Sequence, residues 1–362
     1  MASFANVLIH ASQFPEKVRR DLLASLRTRR ANHKFHYDSV KQTQKWLALH
    51  QACSPTRTDL DCQTVYEQGF HAAAARIKSR RVHVIGLGCG GGQKDTRLLK
   101  LLKTRGREVF YTPCDVSPAM VLVARQTALA VVPDKNCFPF VCDLATADDL
   151  SAVFNSRFTH HVSRITTFFG MIPNFEPHII LPKLASLVRP RDFLLFSANL
   201  APGQNYTAGV KKILPQYDNP LTRDWLLTFL FDLGIVRNDG ELRFKIETCG
   251  RRREEAPTCQ SISVKKKQRL LTSSPTMNDV ELKRIVANFH FTRRCWIKVE
   301  NVVYDFRAGE TFRLFFSYRY TPERVRKILA RYRLVVCDQW ITRSEEEGVF
   351  LVRRGGASEE RR

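Results

Sequence analysis

The stretch Val84-Ile85-Gly86-Leu87-Gly88-Cys89-Gly90-Gly91-Gly92 decides how this chain folds. Its first residues close a β-rich run, Val82 to Leu87, and helical sequence begins near Lys94. Glycines between a strand and a helix allow a tight turn and let a ligand approach the backbone closely. The helix N-terminus that follows favours negative charge. A glycine-rich turn alone is weak evidence, but this one has companions. The next β-rich run, Val109-Phe110-Tyr111-Thr112-Pro113-Cys114, ends in Asp115, where a carboxylate can accept both hydroxyls of an adenosine ribose. A third run ends Val141-Cys142-Asp143, a place suited to an adenine amino group.

Outward from this centre the pattern repeats. Runs at Phe138 to Cys142, Arg164 to Phe169 and Phe193 to Ala198 follow at intervals of roughly 25 to 30 residues, with helix-compatible sequence between them. Such alternation predicts βαβ units in a parallel sheet with helices on both faces, an α/β fold of the doubly wound kind. Residues 1–78 read as mostly helical, over Phe14 to Leu26, Gln42 to His50 and Asp59 to Lys78, with Cys53-Ser54-Pro55-Thr56-Arg57 as a loop. Residues 201–300 break the pattern: Leu221 to Ile235 is helix-like and Gly250 to Ser274 reads as a polar, basic loop. Phe312 to Tyr320 and Gly348 to Arg353 read as strands flanking a helix at Pro322 to Tyr332. The expected division is 1–78, a helical segment contributing to the site; 79–200, the cofactor-binding core; 201–311, an inserted substrate-binding domain; 312–354, strands and helix completing the core; and 355–362, a disordered tail.

Gly86, Gly88 and Gly91 formally satisfy the dinucleotide expression G-x-G-x-x-G, so NAD or FAD competes for the site. The turn Asp115-Val116-Ser117-Pro118 before a helix favours S-adenosylmethionine.

Composition bounds the rest. The 362 residues are 44% hydrophobic and 26% charged, as in an ordinary globular protein. No apolar run reaches the roughly 18 residues of a membrane span, so no membrane role is expected. The ten cysteines form no CxxC pair, and the N-terminus has no secretory pattern, which points to a reducing, cytoplasmic setting. Neither His33 with His36 nor His160 with His161 has the companion ligands a zinc site requires, so no metal is expected. Fifty-eight Lys and Arg against 35 Asp and Glu leave a net charge of +23, which keeps an anionic partner such as nucleic acid in view. The basic segment Gly250 to Arg269 has no aromatic residue on which bases could stack, so nucleic acid is not favoured.

Several blocks together give the chain a resemblance to the S-adenosylmethionine-dependent histidine Nα-methyltransferases of ergothioneine biosynthesis. They are Lys34-Phe35-His36-Tyr37-Asp38, Ser54-Pro55-Thr56-Arg57, and the loop Leu87-Gly88-Cys89-Gly90 running through Lys94 to Thr96-Arg97-Leu98-Leu99 with one extra residue. Asp115-Val116-Ser117, Phe168 to Pro177, Gly309-Glu310, Ser317 to Tyr320 and Trp340 complete the set. The resemblance implies a Rossmann-like methyltransferase sheet with a substrate domain inserted after the fifth strand. It implies S-adenosylmethionine held by Gly86, Gly88, Gly90, Lys94, Asp115, Ser117, Asp143, Phe169 and Gly170. It also implies Asn174 and Tyr217 at the carboxylate of a small amino acid or amine, with Tyr37 as a further catalytic, orienting group.

The departures bear on the acceptor. Gly86 stands where the family carries an acid, Asn199 where it has an Asp after the fifth strand, and Cys53-Ser54 where it has an aromatic pair. Phe315 replaces a Glu that binds the imidazole side, while Ser317 is retained. Losing a partner for a polar edge relaxes selectivity strongly, so methyl transfer to an amino group is expected to persist and histidine specificity is left open. Arg313 and Arg319 alternate with Phe315 and would share its face on a regular strand; either could bind an acidic substrate group, with exposed surface the simpler reading. The competing functions are a nucleic-acid or protein methyltransferase using the basic surface, and a non-catalytic cofactor-binding scaffold.

Overall fold

The computed structural model describes residues 5–156, 162–249 and 281–356. The basic segment Gly250 to Ser274, His160-His161 and most of the 355–362 tail lie outside them.

In chain order the strands are β1 (Leu8–Ile9), β2 (Arg81–Leu87), β3 (Glu108–Asp115), β4 (Phe140–Val141), β5 (Ser163–Phe168), β6 (Phe193–Asn199), β7 (Gly240–Cys249), β8 (Leu282–Phe291), β9 (Cys295–Val299), β10 (Val302–Phe306), β11 (Thr311–Arg319), β12 (Leu334–Ile341) and β13 (Glu347–Arg354). The helices are α1 (Pro15–Thr28), α2 (Val40–Cys53), α3 (Pro55–Thr58), α4 (Leu60–Arg76), α5 (Gln93–Thr104), α6 (Pro118–Ala128), α7 (Leu150–Ser156), α8 (Pro177–Leu187), α9 (Tyr206–Tyr217), α10 (Pro220–Phe231) and α11 (Pro322–Ala330).

Eight strands form one sheet in the order β1-β4-β3-β2-β5-β6-β13-β12. The first six pair in parallel and the last two antiparallel. The central strands are apolar almost throughout because helices cover both their faces. Alternation then sorts each strand between two cores. Val82, Val84, Ile165, Leu195, Val349 and Leu351 pack with Val65, Phe70, Leu98 and Leu102 from α4 and α5. Ile85, Leu87, Phe168, Phe196 and Phe350 pack with Leu181, Leu184 and Leu329 from α8 and α11. From β2 the chain builds outward through β3 and β4 on one side and through β5 and β6 on the other, and the switch point between β2 and β5 is where open α/β sheets take their ligands, at the carboxyl ends of the strands.

A second sheet, β11-β8-β7, is antiparallel. It shares a core with the N-terminal segment and α10, in which Leu26, Phe35 and Tyr37 meet Trp225, Phe229, Phe289, Phe312 and Phe315. Two local expectations change. Residues 55–58, read as a loop, form the short helix α3, because Pro55 sits at its first turn after extended Ser54 and lacks only a donor the helix does not need. The strand at 311–319, read as completing the core sheet, pairs with β8 instead, and the large sheet is completed by β12 and β13.

Candidate functional site

One cavity of about 1180 Å³ opens at the carboxyl ends of β2, β3 and β5. The glycine turn forms one wall. Gly88 and Gly92 have φ of 62° and 74°, a left-handed conformation that only glycine adopts without strain. A Cβ on Gly88 would lie 2.6 Å from Met171 Cγ, and one on Gly92 would lie 2.8 Å from the backbone of Ala124, so the turn is held against its neighbours without side chains. α5 starts directly after it, and its first residues, Gln93, Lys94 and Asp95, line the cavity.

Asp115, 8% exposed, ends β3. Its carboxylate accepts the N–H of Gly90 at 3.2 Å and that of Ser117 at 3.0 Å. Burial pushes its pKa up to about 6, against the pull of these N–H groups. Asp143 accepts from the Ala145 N–H (2.9 Å) and the Thr146 hydroxyl (3.0 Å), and the buried Lys34 ammonium stands 3.8 Å away. Lys94 donates to the Tyr66 hydroxyl at 2.9 Å and lies 4.3 Å above that ring. Burial lowers its pKa. Tyr66 is in turn bonded to Glu347 and lies 2.8 Å from Ser197, whose hydroxyl accepts the Gly170 N–H at 2.8 Å. The turn of Phe169 and Gly170 is thereby tied to the base of Lys94.

Across the cavity stand residues of the smaller sheet and its helices. The Tyr217 hydroxyl, at the end of α9, donates to Ser317 at 2.8 Å and accepts from Arg319 at 2.8 Å. Arg319 is 6% exposed, and its other bond is to the Leu200 carbonyl at 3.3 Å. It makes no ion pair within 4 Å with any described residue, and its Nε has no partner. The exposed surface expected for Arg319 is therefore corrected: it lines the cavity wall. A β-bulge between Arg313 and Phe315 also breaks the alternation that would have put those two on one face. Arg313 turns to stack on Phe316, 5.3 Å from its ring.

Phe315, Trp225, Tyr37 and His33 form an aromatic box, with ring centroids 5.0 to 6.2 Å apart between neighbours. Burial lowers the His33 pKa to about 3, so its imidazole is neutral at pH 7, and its Nε2 has no protein partner. Burial also raises the Tyr37 phenol, which keeps its proton.

Tyr37, Gly88, Gly90, Lys94, Asp115, Asp143, Phe169, Gly170, Asn174, Tyr217, Phe315 and Ser317 all line this one cavity. Gly86 and Ser117 do not. Gly86 is inside β2, and Ser117 caps α6 and buttresses Asp115 from behind. Trp46, Asp95 and Glu347 also line the cavity and Tyr66 supports Lys94, and no motif marks any of these four in the sequence; His33, considered there only as a metal ligand, and Arg319, considered there mainly as surface, line the cavity too.

A family model described as "Histidine-specific methyltransferase, SAM-dependent" matches residues 18–218, more than half of the chain. A search of curated proteins finds no match. Among solved structures, the chain is similar to magnesium protoporphyrin IX methyltransferase from Synechocystis PCC 6803 with bound SAH, at 13% identity and TM-score 0.43, over 87% of this chain and 95% of that one. It is also similar to 1,6-didemethyltoxoflavin-N1-methyltransferase from Burkholderia thailandensis, at 9% identity and TM-score 0.41, over 87% of each chain. The chain thus belongs to the histidine-specific, S-adenosylmethionine-dependent methyltransferase family.

Proposed function

We propose that this methyltransferase transfers a methyl group to the amino group of a small amino acid or amine with an acidic end, and that imidazole is not what its pocket selects. The observation that carries this reading is the single cavity in which Asp115, Lys94 and the glycine turn face Asn174, Tyr217, Arg319, Ser317 and Phe315.

The residues fit the cofactor. Asp115 offers a charged acceptor for ribose hydroxyls, the Gly88 turn leaves room for a ligand against the backbone, and Lys94 offers a cation with only a phenol as partner. Asp143 would meet the adenine. S-adenosylmethionine supplies an activated methyl on a sulfonium; the amine lone pair displaces it, the carbon–sulfur bond breaks, and the amine sheds a proton. The chain's own work is alignment, holding nitrogen and methyl at roughly 3 to 3.5 Å. The buried aromatic box supports a neutral amine, because desolvation disfavours the ammonium form. Arg319, buried without a carboxylate among the described residues, supports an acidic group on the acceptor, with Tyr217 beside it and Asn174 in the same cavity wall. Phe315 closes the box with carbon where a carboxylate would be needed to grip imidazole. In this reading residues 79–200 are the cofactor core, 201–311 the substrate insertion, and 1–78 a lid-side contribution through Tyr37.

The test is methyl transfer from labelled S-adenosylmethionine to a panel of amino acids and amines, with the product located by mass spectrometry. Transfer to an amino group of an apolar or aromatic amino acid, in preference to histidine, is the expected outcome. Label entering RNA or protein instead, or only oxygen-methylated product, refutes the reading.

A further inference from the structure

Gly86 poses a question that its backbone does not answer. It lies in the regular strand β2, paired with Pro113 on one side and Thr167 on the other, and its φ is not left-handed. Nothing in the main chain requires glycine there. The reason lies in the space beside it. A Cβ on Gly86 would stand 2.0 Å from Asp95 Oδ2 and 3.2 Å from the Tyr111 hydroxyl. The room that a side chain at 86 would fill is taken by the carboxylate of Asp95.

Asp95 is the third residue of α5 and 3% exposed. Its carboxylate accepts the Thr167 hydroxyl at 2.7 Å and the Tyr111 hydroxyl at 2.7 Å. These two donors come from β5 and β3, the strands on either side of β2, so the group sits at the switch point of the sheet, where it lines the cavity. It has no Lys, Arg or His within 4 Å among the described residues. Its neighbour Lys94 likewise meets a phenol and, among the described residues, no carboxylate within 4 Å. A buried charge is costly unless it is paired. Here a buried carboxylate and a half-buried ammonium, adjacent in sequence, line one cavity wall, and neither has a counterion in contact among the described residues. Such a pair fits a ligand end that is itself a zwitterion.

We propose that Asp95 binds the ammonium group at the methionine end of the cofactor while Lys94 faces its carboxylate, and that Gly86 is glycine to admit the Asp95 side chain. This rests on the cofactor site described under Proposed function. It assigns the carboxylate at the sheet's centre to the helix rather than to the strand, so the acid missing from position 86 is supplied by the residue that follows Lys94.

The test is calorimetric titration of the full chain with two ligands. S-adenosylhomocysteine carries the amino-acid end; 5′-methylthioadenosine keeps the nucleoside and lacks that end. Asp95→Asn should weaken S-adenosylhomocysteine binding about tenfold or more and change methylthioadenosine affinity by less than about twofold. An equal loss for both ligands would make Asp95 a merely structural residue and overturn the proposal, as would no loss for either. Asp95→Ala combined with Gly86→Asp returns a carboxylate to the same space from the strand. This double variant should recover S-adenosylhomocysteine affinity relative to Asp95→Ala alone. No recovery, in a double variant that melts with the single one, would also overturn the proposal. Failure of the unaltered chain to bind S-adenosylhomocysteine is a different result, because it removes the cofactor site itself.

Discussion

Replacing Asp115 by Asn tests the cofactor site most directly. The carboxylate already accepts two backbone N–H groups, from Gly90 and Ser117, and its remaining lone pairs face the cavity. Hydrogen bonds to a charged acceptor contribute about 1.5 to 3 kcal/mol each. Asn keeps one oxygen but turns an amide N–H₂ toward donors, so about 2 to 3 kcal/mol of ribose binding should go, roughly a 30- to 150-fold loss of affinity. Acidity provides an independent handle. With a pKa near 6, Asp115 is mostly ionised at pH 7 and mostly protonated at pH 5. Ribose hydroxyls need the ionised form, so S-adenosylhomocysteine affinity should fall roughly tenfold from pH 7 to pH 5. Stability moves the other way. A carboxyl whose pKa is raised on folding binds its proton more tightly in the folded state. Its contribution to stability is therefore greatest below the unfolded pKa, near 4, and is lost as pH rises through about 6. The assay is calorimetry at several pH values, alongside thermal melting of the ligand-free protein. An Asp115→Asn variant that binds within about threefold of the parent refutes the assignment. A variant that keeps the parent's pH slope refutes it equally.

Arg319→Leu should raise KM for carboxylated acceptors by about 10- to 100-fold, the worth of a charged hydrogen bond or two, and leave S-adenosylhomocysteine affinity unchanged; steady-state kinetics beside calorimetry decides it, and an unchanged KM removes Arg319 from the substrate site. Gly88→Ala forces a side chain into φ 62° and against Met171, so cofactor affinity should drop by about tenfold. Gly106→Ala, at φ 73° with nothing within 4 Å, is the control: it should lower the melting temperature slightly and leave affinity alone. Lys34→Met leaves Asp21, which Lys34 meets at 2.6 Å, with a single cation and strips Asp143 of its nearest one. Removing one partner of such a buried pair costs about 3 to 5 kcal/mol, and a denaturant titration that shows less than about 1 kcal/mol would contradict it.

Some of this molecule was written in local sequence. Glycine at 88, 90 and 92 announces a left-handed turn because no other residue takes that backbone cheaply. Runs such as Val82 to Leu87 and Phe193 to Ala198 announce buried parallel strands because helices on both faces leave no polar side. Asp115 and Asp143 were legible because each directly follows such a run. The strands β7 to β10 and β12 were not. The run Gly240-Glu241-Leu242-Arg243-Phe244-Lys245 does alternate polar with apolar residues, but its partner strand β8 lies far along the chain, and pairing between such distant residues leaves no local mark.

The sequence by itself determined the α/β architecture, the position of the glycine turn and the acids that follow the second and third core strands, since each depends on short-range backbone preference and burial. Only the tertiary structure decided the rest. A β-bulge of one residue separates Arg313 from Phe315, and packing of α9 on β11 buries Arg319 against Tyr217. A helix carboxylate occupies the side-chain space of a strand glycine fewer than ten residues earlier. Register, bulges and shared space are relations between segments, and no single segment carries them.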